Sequence, residues 1–448
     1  MNEHPSPSDL NRRGFLRASS TAAGAALLGG LSIERSAHAA GSDTLKLALV
    51  GCGGRGTGAA EQALSTYTQG NVKLVAMADV FKDRLEGSLQ GLKRNHADRI
   101  EVTDSDKFIG FEAYKHAIAK ADVVILTTPP GFRPMQFEEA VRQGKHCFIE
   151  KPVATDAPGV RRVLAAAEEA KKKNLKVGCG LQRHHQMGYL ETMKRLHGGE
   201  IGDIVSMRCY WNGTTPWVHP RADLEKKAGR KLTEMEYQMR NWYYFAWIGG
   251  DHIVEQHIHN LDVINWVKQG HPVRAHGMGG CEVRKGKDYG EIFDHHAVEF
   301  EYADGSRMFS QCRHINGCWS NVSEHVVGTK GTCDVGSHII RGANPWRFRS
   351  EGAKNPYQQE HDDLFEAIRK DKPFNEAIFG AESSMTAILG RMCTYSGKVI
   401  EWDQAINSKV DLIPKDLAWD AMPLVQPGPD GMYPIPVPGD PNWFKKIV

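Results

Sequence analysis

Gly51, Gly53 and Gly56 have the spacing of a turn that cradles phosphate, while Lys151, Glu255 and His259 are side chains able to hold and move protons. The glycines follow the apolar run Leu45 to Val50, and Ala59 to Leu64 behind them reads as the start of a helix. A dinucleotide pyrophosphate needs that order. Gly51 permits the tight turn, Gly53 lets backbone N–H groups approach the phosphates, and Gly56 lets the helix pack against the strand with its N-terminus facing the anion. A second apolar run, Val72 to Ala78, ends in Asp79, where an acidic residue meets the adenosine ribose. A carboxylate there accepts from the 2'-hydroxyl and repels a 2'-phosphate, which favours NAD while leaving NADP open. Lys151 closes the run His146 to Ile149 within Glu150-Lys151-Pro152, so it emerges at the carboxyl edge of a sheet. A lysine in a partly dry crevice can share a proton with a hydroxyl that is becoming a carbonyl.

The elements that position these groups follow from periodicity. Leu45 to Val50, Val72 to Ala78, Val123 to Thr127, His146 to Ile149 and Leu175 to Val177 alternate with helix-like stretches, among them Met135 to Gln143 and Pro158 to Lys172. This predicts a doubly wound α/β Rossmann domain with a parallel sheet over 44–180, its crevice at the carboxyl ends of the strands. From 181 to 410 the runs lengthen and alternate with period two, as in Ile204 to Tyr210, His296 to Tyr302 and Met308 to Arg313. That predicts an α+β domain built on a mostly antiparallel open sheet. Helices are predicted at His252 to Val267, Gln359 to Arg369 and Ala381 to Tyr395, and a proline-rich extended arm over 411–448.

The series Gly51-x-Gly53-x-x-Gly56, Thr128-Pro129 and Gly144-Lys145-His146-Cys147-Phe148-Ile149-Glu150-Lys151-Pro152 resembles the Gfo/Idh/MocA oxidoreductases, the family of glucose-fructose oxidoreductase and inositol dehydrogenase. The resemblance implies cofactor contacts from Gly51, Gly53, Gly54, Arg55, Gly56, Asp79, Thr128, Pro129, Glu150 and Lys151. It also implies that His259 is the catalytic histidine and Asp262 the aspartate that follows it, within Gly249-Gly250-Asp251-His252-Ile253-Val254-Glu255-Gln256-His257-Ile258-His259-Asn260-Leu261-Asp262. Glu255 stands where an aspartate is usual, His257 where glycine is common, and Arg133 where a histidine commonly follows the Thr-Pro turn. Four residues apart on one predicted helix, Glu255 and His259 would share a face, so that the carboxylate orients the imidazole. His259 then takes a hydroxyl proton while hydride leaves the same carbon for the nicotinamide, with Lys151 steadying the oxygen. Arg183 resembles an arginine that family members aim at substrate or cofactor, with His184 beside it; Trp242 and Tyr243 offer rings for sugar stacking. His252, Glu255, His257 and His259 could surround a metal by spacing alone, but the resemblance gives these positions to proton transfer, and no metal is expected.

The whole chain sets further bounds. With 448 residues, 41% hydrophobic and 25% charged, it is long enough for two ordinary cores, and a net charge of +2 without dense basic blocks does not imply nucleic acid. Nine cysteines are scattered without C-x-x-C spacing, so buried free thiols are expected, with a Cys312–Cys318 bridge as the alternative. Asn11-Arg12-Arg13-Gly14-Phe15-Leu16-Arg17, the Ala/Gly-rich stretch Ala18 to Ile33 and Ala37-His38-Ala39 resemble a twin-arginine signal over 1–39. The mature protein is then periplasmic or otherwise exported, free of the membrane after cleavage, and expected to be a homo-oligomer. Free NAD is scarce outside the cytoplasm, so the expectation is a tightly bound, recycled cofactor and a sugar, polyol or sugar derivative oxidised at a CH–OH group. The alternatives are a redox-neutral glycosidase or lyase that oxidises transiently and a non-catalytic dinucleotide-binding module.

Overall fold

Alternate residues of the first apolar run, Leu45, Leu47 and Leu49 against Ala48 and Val50, enter two separate cores on the two faces of one sheet. In this computed structural model, which describes residues 43–349 and 352–447, that sheet has six parallel strands. They are β1 Leu45–Val50, β2 Val72–Asp79, β3 Lys107–Ile109, β4 Val123–Leu126, β5 His146–Ile149 and β6 Val177–Cys179, in spatial order β3-β2-β1-β4-β5-β6. Helices α1 Gly54–Leu64 and α2 Lys82–His96 cover one face; α3 Ala113–Ala119, α4 Arg133–Arg142 and α5 Ala157–Lys172 cover the other. The order reverses between β1 and β4, and such a reversal opens a crevice at the carboxyl ends of the strands.

Two departures from expectation in this first domain have local causes. The sixth strand begins at Val177 because Asn174 adopts φ 57° and Leu175 N–H still bonds the carbonyl of Ala170, so that Leu175 is held in the turn that closes α5. Helix α2 was hidden by its composition: only Leu85, Ser88, Leu89 and Leu92 are buried in a strongly polar sequence containing two glycines.

The second sheet has nine strands in the order β14-β13-β12-β11-β7-β10-β9-β8-β15. Its members are β7 Ile204–Gly213, β8 Arg274–Gly280, β9 His295–Glu301, β10 Arg307–His314, β11 Asn321–Gly328, β12 Gly331–Asp334, β13 Ile339–Gly342, β14 Trp346–Arg347 and β15 Ile400–Glu401. All neighbours pair antiparallel except β7 with β10. The expected helix His252 to Val267 is broken into α6 His252–Glu255 and α7 Ile258–Lys268, separated by Gln256 and His257.

Helices α8 Pro356–Arg369 and α9 Ala377–Ser396 begin three to four residues earlier than the pattern suggested. Helix α8 returns to the first sheet, where Leu364, Phe365 and Ile368 join the core of α1 and α2. The almost wholly buried α9 packs on α5, α7 and β8, bringing the two sheets into one core. From residue 407 to residue 440 the chain forms neither helix nor strand, and a short helix, Pro441–Ile447, follows. All nine cysteines are free, Cys312 buried and Cys318 exposed. The paired-arginine segment and its cleavage site lie outside the described residues.

Candidate active site

Gly51 has φ 94°, and a side chain there would meet Thr128 N at 2.4 Å. A Cβ on Gly56 would stand 1.9 Å from the Gly51 carbonyl oxygen. These two glycines are therefore needed for the turn itself. Gly53 and Gly54, in contrast, face open space, and α1 starts there without a side-chain cap. Its first N–H groups are left for an anion. Asp79, at the end of β2, accepts from Cys52 N (2.7 Å) and Phe81 N (2.8 Å), so it ties down the turn as well as facing the crevice. Burial raises its pKa, opposed by those two backbone bonds.

A cavity of about 750 Å³ follows the carboxyl ends of the strands, from Asp79, Phe81 and Phe111 past Gly53, Gly54 and Thr128-Pro129 to Lys151, Glu255 and His259. Lys151 Nζ donates to the Glu255 carbonyl oxygen (2.6 Å) and to Glu255 Oε1 (3.3 Å). Arg55 also lines the cavity, pairing with Glu150 and, at 2.8 Å, with Glu360. Arg133 is buried against the Pro152 carbonyl, and burial brings its pKa down to about 10.

His259 is 7% exposed, its ring 5.9 Å from that of Trp211 at an interplanar angle of 22°. Burial first, then the charges of Lys151, Arg183 and Arg55, hold its pKa well below the ordinary imidazole range. The imidazole is neutral at physiological pH, the state a general base requires.

The expected Glu255–His259 partnership does not form. The helix break separates the two, and the Glu255 carboxylate goes to Lys151 instead. Among the expected substrate contacts, Trp242 lines the cavity. Tyr243 is buried beside it, 5.8 Å from Tyr244, with a hydroxyl lacking a hydrogen-bond partner. Arg183, His184 and Asp262 lie behind the cavity wall: Arg183 pairs with Glu324, and His184, stacked between Trp266 and Phe379, bonds Asp262 at 2.8 Å.

Gln182, Gln256 and Tyr357 also line the cavity and had no chemical signal in the sequence. Tyr357 arrives from the start of α8, with its hydroxyl 3.1 Å from Gln182 Nε2 and its ring 5.2 Å from the Arg55 guanidinium. Among the described residues, no three His, Cys, Asp or Glu side chains are grouped to hold a metal ion.

Residues 45–179 match the family described as "Oxidoreductase family, NAD-binding Rossmann fold", and residues 189–334 match the "GFO/IDH/MocA C-terminal domain". The chain belongs to the Gfo/Idh/MocA oxidoreductases. An inositol 2-dehydrogenase of Cereibacter sphaeroides is 25% identical over 293 residues, covering 64% of this chain and 73% of that protein. The fold matches an aldose-aldose oxidoreductase from Caulobacter crescentus complexed with glycerol at TM-score 0.61 and 17% identity, covering 80% of this chain and 99% of that one. It also matches scyllo-inositol dehydrogenase from Lactobacillus casei with bound NAD(H) and scyllo-inositol, at TM-score 0.57 and 18% identity, again over 80% and 99%.

This Gfo/Idh/MocA member is an NAD-binding oxidoreductase, and as an enzyme it is not a mere dinucleotide-binding module. The residues present fit the cofactor: an uncapped helix start above two glycines open to the cavity for the pyrophosphate, and Asp79 for the adenosine ribose.

Proposed function

We propose that the protein is an exported dehydrogenase of a sugar, polyol or sugar derivative, acting on a CH–OH group with a tightly held NAD. The observation that carries this reading is the convergence of Lys151 and a neutral His259 on the same cavity as the glycine turn. The inositol 2-dehydrogenase relatives and the polyol held by the Lactobacillus casei enzyme support the substrate class. Bound NAD supplies the two-electron acceptor. His259 takes the proton of the substrate hydroxyl. Lys151, held by Glu255, donates a hydrogen bond to the same oxygen as its carbon is oxidised, and Trp211 and Trp242 bring flat apolar faces to the cavity for the C–H side of a ring.

Export rests on the paired-arginine pattern Asn11 to Arg17. Outside the cytoplasm such an enzyme turns over only if its cofactor is recycled in place, by reduction of a second sugar. Asp79 beside the ribose position favours NAD over NADP.

Tyr357 favours a second reading, transient oxidation followed by glycoside cleavage. Its hydroxyl lies on the cavity wall, where it is able to protonate a leaving oxygen. Stopped-flow absorbance at the NADH band separates the two readings. Net oxidation leaves a reduced cofactor that a second sugar reoxidises, whereas redox-neutral cleavage releases product with no such requirement. Sustained turnover of a lone polyol with added soluble NAD would contradict both.

A further inference from the structure

Arg183 directly follows Gln182 on the cavity wall, yet its own side chain turns away from the cavity and towards the backbone of the base. Its Nη1 donates to the His259 carbonyl oxygen at 3.1 Å and pairs with Glu324 of β11. Glu324 is itself buried, receiving Asn260 Nδ2 through Oε1 and, at 3.2 Å, the Tyr189 hydroxyl through Oε2. Asn260 is the residue after His259, and its amide also reaches the Tyr210 carbonyl at 3.1 Å. The start of α7 is thereby fixed from both sides, to the loop after β6 by Arg183 and to the second sheet by Asn260. One helical turn on, His184 bonds Asp262 and repeats the link.

We propose that Arg183, clamped by Glu324, is the positioning residue of the His259 base. Its guanidinium fixes where the imidazole stands relative to Lys151, and its charge sits beside the ring. This rests on the reading of His259 as the base, and it replaces the expectation that Arg183 touches substrate.

The charged groups around His259 come from several elements. Lys151 stands at the end of β5 and Arg55 on α1, both cationic; Glu255 ends α6 but is neutralised by Lys151; Glu324 on β11 lies behind Arg183; Asp262, on α7 itself, is engaged by His184 and Ser383. Trp211 on β7 contributes only its ring. Removing the Arg183 charge therefore raises the proton affinity of the imidazole, while a role in packing alone leaves it unchanged.

The test is NMR of NAD-loaded protein carrying ¹³C-labelled histidine, with the His259 signal assigned by its absence in His259→Gln. In wild type, burial and the neighbouring charges hold the imidazole midpoint below the ordinary range; in Arg183→Gln, titrated from acid to neutral pH, that midpoint moves upward. Should that variant fail to fold because Glu324 is left buried without a partner, the double variant Arg183→Gln/Glu324→Gln removes both charges, and because Glu324 lies behind Arg183 the midpoint should still move upward, by less. A His259 midpoint that does not rise in the variants, a wild-type midpoint at or above the ordinary imidazole range, or failure of both variants to fold would each overturn the proposal. No substrate enters the measurement, so failure of the sugar reading leaves its outcome intact.

Discussion

At the scale of single residues, the proposed chemistry rests on two side chains that line one cavity, the His259 imidazole and the Lys151 ammonium. The two depend on each other electrostatically. Lys151 is one of the charges that keep protons off His259, so replacing it does more than remove a hydrogen-bond donor. In Lys151→Met, turnover should fall by about 10²- to 10³-fold, the typical cost of losing one donor to a developing charge. NAD should remain bound, because the glycine turn and Asp79 are untouched. His259→Asn should cost about 10²- to 10⁴-fold. The pH profiles should differ as well. Because the His259 pKa is depressed, the base is available in the wild type below the ordinary imidazole range, and the acid limb of kcat/KM lies at low pH. Removal of the Lys151 charge moves that limb upward, which residual activity across the acid range will detect.

Among the elements, the short helix Ala246–Gly249 leads into the signature turn, and Glu291 Oε1 accepts from its first N–H, Ala246 N, at 2.9 Å. Burial pushes the Glu291 pKa up to about 7. The folded state therefore holds this proton where the unfolded chain, with an ordinary carboxyl near 4.5, has released it. Stability from this group is complete at acid pH and declines as pH rises from about 4.5 to about 7, by on the order of 3 kcal/mol at most. Glu291→Gln should flatten that part of the curve, as read by denaturant midpoints at several pH values; an unchanged slope would show that the carboxyl is ionised in the fold.

The same region shows where sequence reasoning stopped. Strand, glycine turn, helix and terminal acid were legible because each is a local pattern, and Lys151 followed from its place at a strand end. The break between α6 and α7 was not, since His252 to Val267 reads as one continuous helix. It is imposed by β10, where Gln256 Oε1 meets His314 Nε2 at 3.0 Å and His257 Nε2 meets Ser310 Oγ at 2.7 Å. Consecutive residues of a regular helix point about 100° apart, so one strand does not easily engage both. Tyr357 was illegible for the same kind of reason: only the return of α8 to the first sheet carries it to Arg55.

For the whole molecule, no helix among the described residues covers one face of the nine-stranded sheet, which exposes Met278, Phe309 and Val327 among charged neighbours. A second copy of the chain is the expected partner for that face, and Phe309→Glu should shift the assembly towards monomer in native mass spectrometry; a monomeric wild type would refute the expectation. Two segments distant in sequence meet over the adenosine end of the crevice. Arg240 pairs with Asp83 through two bonds of 2.8 Å and lies 3.6 Å over the Phe81 ring. Trp419 of the proline-rich arm packs 5.3 Å from Phe81 and 4.8 Å from Phe111, the two rings that line the cavity there. Release of the adenosine half is expected to require this aromatic cluster to loosen, so that the arm contributes to cofactor retention alongside the glycine turn. Trp419→Ala removes contacts worth about 1 kcal/mol and should speed NAD loss several-fold. Dilution of loaded protein into an NAD-consuming trap measures that rate directly. An unchanged rate would mean that the arm is a passive covering and that the grip on the dinucleotide lies wholly within the first sheet.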